Sequence, residues 1–270
     1  MIAFAGNSLL CRLALKQTGI DAASFTSIRI VSGALALWLI VRLRKRPGQG
    51  DGNWPSALAL FAYAAAFSFA YVSLSAATGA LLLFGAVQAT MIAWGLRRGE
   101  RLRIRQLAGL ALALGGLIML LFPGLSAPPL RGSILMLLAG VAWGIYSLRG
   151  KTAGDPVCAT AGNFLRAVPL AAVLSLSLFP SARFDGAGIG YAVLSGALAS
   201  GVGYVVWYLA LPGLKAASAA TVQLSVPVLA ASGGILLLGE PLTLRFLAAS
   251  IAVLGGIALV VMTPGQRRSQ

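Results

Sequence analysis

Histidine is absent from the 270-residue chain, and its only cysteines are Cys11 and Cys158. No Cys/His metal cluster and no disulfide framework can be built from such a set. Acids are nearly as scarce: six Asp and Glu stand against 21 Lys and Arg. All six fall in loops or at the ends of apolar runs, so no titratable constellation of the kind an embedded enzyme needs is legible. A glycine loop of the nucleotide-binding type with its lysine is also missing. The chain therefore reads as a non-enzyme without cofactor or metal.

Apolar residues are abundant, at 59% of the chain, whereas only 10% is charged and the mean hydropathy is +0.89. This balance belongs to a chain whose main solvent is lipid. The net charge of +15 does not point to nucleic acid, because the basic residues gather in short loops between long apolar runs. A span needs about 20 apolar residues, and runs bounded by charges, Pro and Gly start near residues 1, 24, 54, 78, 104, 132, 157, 187, 216 and 243. About ten transmembrane helices in an all-α, polytopic membrane protein are expected. Met1 to Leu15 holds Asn7 and lacks a basic leader and a small-residue cleavage site, so it reads as a span. The join at Ser73 to Thr78 suits either a tight turn between two spans or one bent hairpin. Asp21, and Asp155 before Pro156, are expected as helix caps.

Arg42, Arg44, Lys45 and Arg46 follow the second run, and Arg97, Arg98, Arg101, Arg103 and Arg105 surround the turn after the fourth. Loops rich in Lys and Arg stay cytoplasmic, which sets both termini on the cytoplasmic side of the inner membrane. Arg149, Lys151, Arg267 and Arg268 fall on that side as well. The opposite side collects only scattered charges such as Lys16, Arg131, Arg183 and Arg245.

A shift of 140 positions superposes Gly99, Glu100, Leu102, Arg105, Leu107, Ala108, Gly115 and Gly116 on Gly239, Glu240, Leu242, Arg245, Leu247, Ala248, Gly255 and Gly256. Ala76, Ala77 and Ala80 likewise fall on Ala216, Ala217 and Ala220. The unit is five spans, residues 1–127 and 128–270. An odd number makes the two copies enter the membrane in opposite directions, as an inverted pair. The Gly115-Gly116 and Gly255-Gly256 pairs are expected to permit close helix packing.

These residues resemble the EamA-type branch of the drug/metabolite transporter superfamily over nearly the whole chain. Pro227-Val228, the Gly239-Glu240-Pro241-Leu242-Thr243 turn and Gly255-Gly256 are similar to the second-half signature in order and spacing. Gly6-Asn7-Ser8 and Arg29 are similar to the opening pattern. Val87 stands where the repeat would place a second proline, so the first copy lacks that helix break. The resemblance implies a secondary transporter of small metabolites, such as amino acids or drug-like compounds, acting as exporter, exchanger or facilitator. A lipid flippase or a structural membrane partner is the alternative. Partners are a small-molecule substrate and the bilayer, with no nucleic acid.

Polar and aromatic residues inside spans point to the path, since an unpaired polar group in hydrocarbon is costly. Asn7, Gln88, Asn163 and Gln223 each suit a substrate's polar atoms or a bridge between two helices. Tyr63, Phe67 and Tyr71 recur every four residues, Tyr204 and Trp207 sit three apart beside Gly196, Ser200 and Gly203, and Trp143 lies in a stripe with Gly140, Gly144 and Ser147. Either a cavity lining or ordinary packing and interfacial belts would produce these faces. Arg29 and Arg166 lie within runs that hold no acid, leaving backbone carbonyls or an anionic substrate group as partners. The expected substrate-binding set is Asn7, Arg29, Phe67, Tyr71, Gln88, Trp143, Asn163, Tyr204, Trp207 and Gln223, around a central cavity. The small multidrug transporters related to this family are understood to use a first-span glutamate; span one here offers only Asn7, Ser8 and Arg12. Facilitated diffusion or exchange is expected rather than a buried-carboxylate proton cycle.

Overall fold

A computed structural model describes residues 1–44, 51–97, 104–122, 127–150, 154–210, 223 and 225–262. Among them there is no strand. The helices, numbered in chain order, are α1 (Ile2–Gln17), α2 (Ala22–Leu43), α3 (Trp54–Tyr71), α4 (Ala76–Arg97), α5 (Ile104–Leu121), α6 (Leu130–Gly150), α7 (Pro156–Ser177), α8 (Gly186–Ala210), α9 (Ser225–Leu238) and α10 (Leu244–Met262). Six of them, α2, α3, α4, α6, α7 and α8, are long and apolar enough to cross a membrane, and α5, α9 and α10 contain shorter apolar helices. The expected starts match within about two residues wherever both can be compared. The start near 216, Glu100, most of the arginines at 97–105, and Lys45, Arg46, Lys151, Arg267 and Arg268 lie outside the described residues.

Helix starts are fixed by local chemistry. Asp21 Oδ1 accepts the amides of Ala23 and Ser24 at 2.9 and 3.0 Å, and Asp155 Oδ1 accepts those of Val157 and Cys158 at 2.8 and 3.3 Å. Both are the caps that the sequence implied, each a contribution of about 1 kcal/mol. Asn53 and Asp185 cap α3 and α8 in the same way. Asp21 Oδ2 also accepts the Arg183 amide at 2.7 Å, which ties the α7–α8 connection to the start of α2.

Burial alone would raise the Asp21 carboxyl, but hydrogen bonds from Arg183, Ser24 and Ala23 together outweigh it and hold the group below the usual carboxylate range. At Asp155 burial is again opposed, here by the Val157 and Cys158 amides and by Arg44, with the same net direction. A depressed folded-state pKa contributes stability above the unfolded value, and that contribution is lost as pH falls through the folded one. The purified protein is therefore expected to lose thermal stability below about pH 4, near the unperturbed Asp value. A D21N/D155N variant should show a smaller acid-dependent loss. An unchanged pH profile for that variant would rule the caps out as the cause.

Ser73 to Thr78 forms a true break between two helices. Ser75 Oγ accepts the Thr78 amide at 3.2 Å, and the first amide of α4, that of Ala76, donates to Glu240 Oε2 at 2.8 Å. A helix end left unsatisfied inside a membrane protein would be costly; here a side chain from 164 positions away satisfies it.

Interhelical packing follows a regular scheme. α3 and α4 pack on α6, and α8 and α9 pack on α1; α2 packs on α7 and α8, and α3 on α7; α4 packs on α9, and α5 on α10. Small residues allow the closest crossings. A Cβ at Gly256 would meet the Ala113 nitrogen at 2.6 Å, and one at Gly116 would meet the Ala252 Cβ at 2.8 Å, whereas Gly115 and Gly255 have nothing within 4 Å. One glycine of each pair thus serves the α5–α10 contact. Large apolar side chains such as Leu236, Leu244 and Ile251 remain exposed on the outer faces, as expected of surfaces that meet lipid.

Candidate functional site

The site is built at the crossing of α1, α2, α3, α6 and α8. It begins with an irregularity: residues Ser195–Val202 of α8 form a π-helical stretch. In an α-helix, residues five apart lie about 140° apart around the axis. The wider i→i+5 turn brings Ser195 and Ser200 toward one side. Ser195 Oγ donates to Asn7 Oδ1 on α1 at 2.6 Å. Ser200 Oγ accepts from Arg29 Nε on α2 at 3.2 Å. Gly196 sits between them, against the Arg29 carbonyl and Ser32 Oγ, with no room for a side chain.

Arg29 is only 1% exposed. Its Nη2 donates to the Tyr63 hydroxyl at 3.0 Å, which also accepts from Asn7 Nδ2 at 3.1 Å. The guanidinium carbon lies 5.2 Å from the Tyr63 ring centroid and 4.9 Å from that of Phe67, within cation–π range. Nη1 has no hydrogen-bond partner among the described residues, and neither does the Tyr204 hydroxyl. Among the described residues, no carboxylate is a hydrogen-bond partner of Arg29. Arg166 differs: it donates to the carbonyls of Asp51 and Gly162.

Aromatic rings surround this polar centre. Trp143 lies 4.7 Å from Tyr204, 4.9 Å from Tyr63 and 5.9 Å from Phe4 by ring centroids, and Phe4 reaches Trp207 at 6.0 Å. The rings nearly fill the space: only about 10 Å³ remains between Phe4, Asn7, Tyr63, Phe67, Leu83, Phe84 and Trp143. That is about the least a single water requires. Among the described residues, edge-to-face and tilted rings occupy much of the volume where a central cavity was expected.

Six expected residues come together here: Asn7, Arg29, Phe67, Trp143, Tyr204 and Trp207. Tyr71 contacts Phe67 at 4.7 Å, but its hydroxyl donates to the Ala76 carbonyl at the α3–α4 turn. Asn163 lies toward the end of the molecule that carries Arg44 and Arg149. There its Oδ1 accepts the Asn53 amide at 2.9 Å and its Nδ2 faces the Tyr146 hydroxyl at 3.5 Å, beside a space of about 30 Å³. Gln88 is buried one turn beyond Phe84 on α4, and Gln223 is half-buried before α9; among the described residues no hydrogen bond ties either to the cluster.

Phe4 and Ser195 were not anticipated as site residues, and Tyr63 and Ser200 were legible only as members of the Phe67 stripe and the Trp207 face. A further feature stood in the sequence as a turn residue: Glu240 is 6% exposed and pairs with Arg12 Nε at 3.2 Å. Arg12 Nη1 also donates to the carbonyls of Tyr71 and Val72 at 2.9 and 3.2 Å. This pair borders a cavity of about 240 Å³ at the end opposite the basic loops.

Known proteins resemble the chain in sequence and in fold. The model of the family described as "EamA-like transporter family" matches residues 130–262. An uncharacterized protein of Pseudomonas aeruginosa, PA1977, is 63% identical over 97% of this chain and 91% of its own length. An uncharacterized transporter of Archaeoglobus fulgidus is 33% identical over 60% of this chain and 59% of its own length, and the uncharacterized transporter YoaV of Bacillus subtilis is 25% identical over 63% and 61%. A solved crystal structure superposes with a TM-score of 0.68 over 97% of both chains at 19% identity, a likeness of fold.

Proposed function

Because the chain belongs to the EamA-like transporter family, we propose that this multi-pass membrane protein is a secondary transporter of small metabolites, such as amino acids or drug-like compounds, across the cytoplasmic membrane. The reading is carried by one observation: a polar centre of Asn7, Arg29, Tyr63, Ser195 and Ser200 joins helices from both halves of the chain inside an aromatic shell. Buried polar groups of this kind mark substrate paths in membrane proteins. Two inverted five-helix repeats, residues 1–127 and 128–270, both termini cytoplasmic, complete the proposed architecture. Support comes from the packing scheme: replacing each helix by the one five places on turns α3 on α6 into α8 on α1, and α2 on α8 into α7 on α3. Alternating access then amounts to rocking the halves about the central cluster, with Trp143 and its ring neighbours moving to admit substrate.

Transport runs as exchange or facilitated diffusion, and the protein catalyses no covalent step. Glu240 is committed to Arg12 and to the Ala76 amide, a structural role at the α3–α4 turn. The test is uptake of radiolabelled metabolites by proteoliposomes. Trp207→Ala, which removes a ring facing Phe4, should lower the rate about tenfold, equivalent to about 1.4 kcal/mol, while leaving insertion intact. Unaltered kinetics would remove Trp207 from the path. Movement of labelled lipid with no metabolite uptake would replace the reading with a flippase.

A further inference from the structure

We infer that the central site takes the carboxylate of an organic solute with an apolar body, received by Arg29 Nη1 and the Tyr204 hydroxyl. The assignment rests on the transporter reading above and narrows its substrate class. Arg29 uses Nε on Ser200 and Nη2 on Tyr63, and Nη1 is the nitrogen left over. A charged group deep in a low-dielectric region is costly unless it is compensated. Two neutral hydroxyls and two ring faces, those of Tyr63 and Phe67, compensate the guanidinium only in part.

The second polar atom of the cluster without a hydrogen bond of ordinary geometry is the Tyr204 hydroxyl, which lies near the Tyr63 and Ser200 hydroxyls. Tyr204 is 1% exposed, one turn beyond Ser200 on α8 and within electrostatic reach of Arg29. A guanidinium N–H and a phenol O–H are both donors to an anion, and charge-assisted bonds of this type are the stronger class. Charge counting selects the anion. With one guanidinium among the groups described in the cluster, a monoanion is neutralised and a phosphate dianion is not. Trp143, Phe4 and Phe67 supply an apolar wall for the rest of the solute. The space of about 10 Å³ beside Asn7, Tyr63 and Trp143 is too small for a carboxylate, so a solute that reaches Arg29 and Tyr204 requires the rings to move.

The full chain, purified in detergent, is tested by thermal stabilisation with two matched pairs, phenylacetate against phenylacetamide and L-phenylalanine against L-phenylalaninamide, and with chloride as an inorganic control. A ligand that binds the native state raises the midpoint in proportion to its occupancy. The expected result is a concentration-dependent rise with the acid of at least one pair, and an apparent affinity at least about tenfold weaker for its amide. Tyr204→Phe, which removes only the hydroxyl, should weaken the acid response, Arg29→Lys should keep part of it and Arg29→Gln should abolish it. Equal responses to acid and amide, a chloride response equal to that of the acids, or no response to either acid would overturn the assignment, using wild-type protein alone. The two readings fail separately: uptake of a neutral or cationic solute that survives Arg29→Gln keeps the transporter and removes the carboxylate, whereas carboxylate binding without any uptake keeps the site and removes the transporter.

Discussion

Replacing Glu240 by alanine is expected to destabilise the protein by about 3 kcal/mol, measured as reversible unfolding in mixed micelles. Removing one partner of a buried ion pair leaves the other charge uncompensated, at a typical cost of about 3–5 kcal/mol. The lower end applies because Arg12 keeps its bonds to the Tyr71 and Val72 carbonyls. The same substitution also strips the cap from the first amide of α4. The pair side chains are 12% and 5% exposed, so solvent screening offers little relief. Glu240→Gln should be milder, because an amide oxygen can still accept from Ala76. In a double-mutant cycle with Arg12→Met, the two single losses should fail to add by about 1 kcal/mol or more. A Glu240→Ala variant within about 0.5 kcal/mol of the parent, the range of a neutral surface change, would show that the pair contributes nothing to stability.

The second large effect concerns α8. Gly196→Ala is expected to destabilise by about 2–3 kcal/mol, the upper part of the range for overpacking a tight contact, and to abolish transport. A Cβ there runs into the Arg29 carbonyl, a backbone atom that can move only with α2 itself. Separating α8 from α2 would also draw Ser200 away from Arg29. Gly190→Ala on the same helix is the control. Nothing lies within 4 Å of its added carbon, and alanine favours helix over glycine by about 1 kcal/mol, so this change should be neutral or stabilising. The opposite signs are the result to look for; equal effects would mean that helix propensity, not the α2–α8 contact, governs both positions.

The sequence by itself determined the helices and their ends. An apolar run commits to helix in lipid because each backbone amide finds its acceptor four residues away, so the decision is local. Asp21 and Asp155 were readable as caps for the same reason: their hydrogen bonds reach two or three residues along the chain. The 140-residue repeat was legible as letters, and Arg29 stood out because a charge in an apolar run needs a partner. What that partner would be was not legible. A side chain's identity states which bonds it can make, and only the packing of helices selects among them. Tertiary structure alone decided that Tyr63 and Ser200 would flank Arg29, and that a π-helical turn would aim Ser195 and Ser200 to one side. It also placed Asn163 toward one end and set aromatic rings around the polar centre. Arg12 and Glu240 are 228 positions apart, and their pairing exists only because α1 and the α9–α10 turn meet in space.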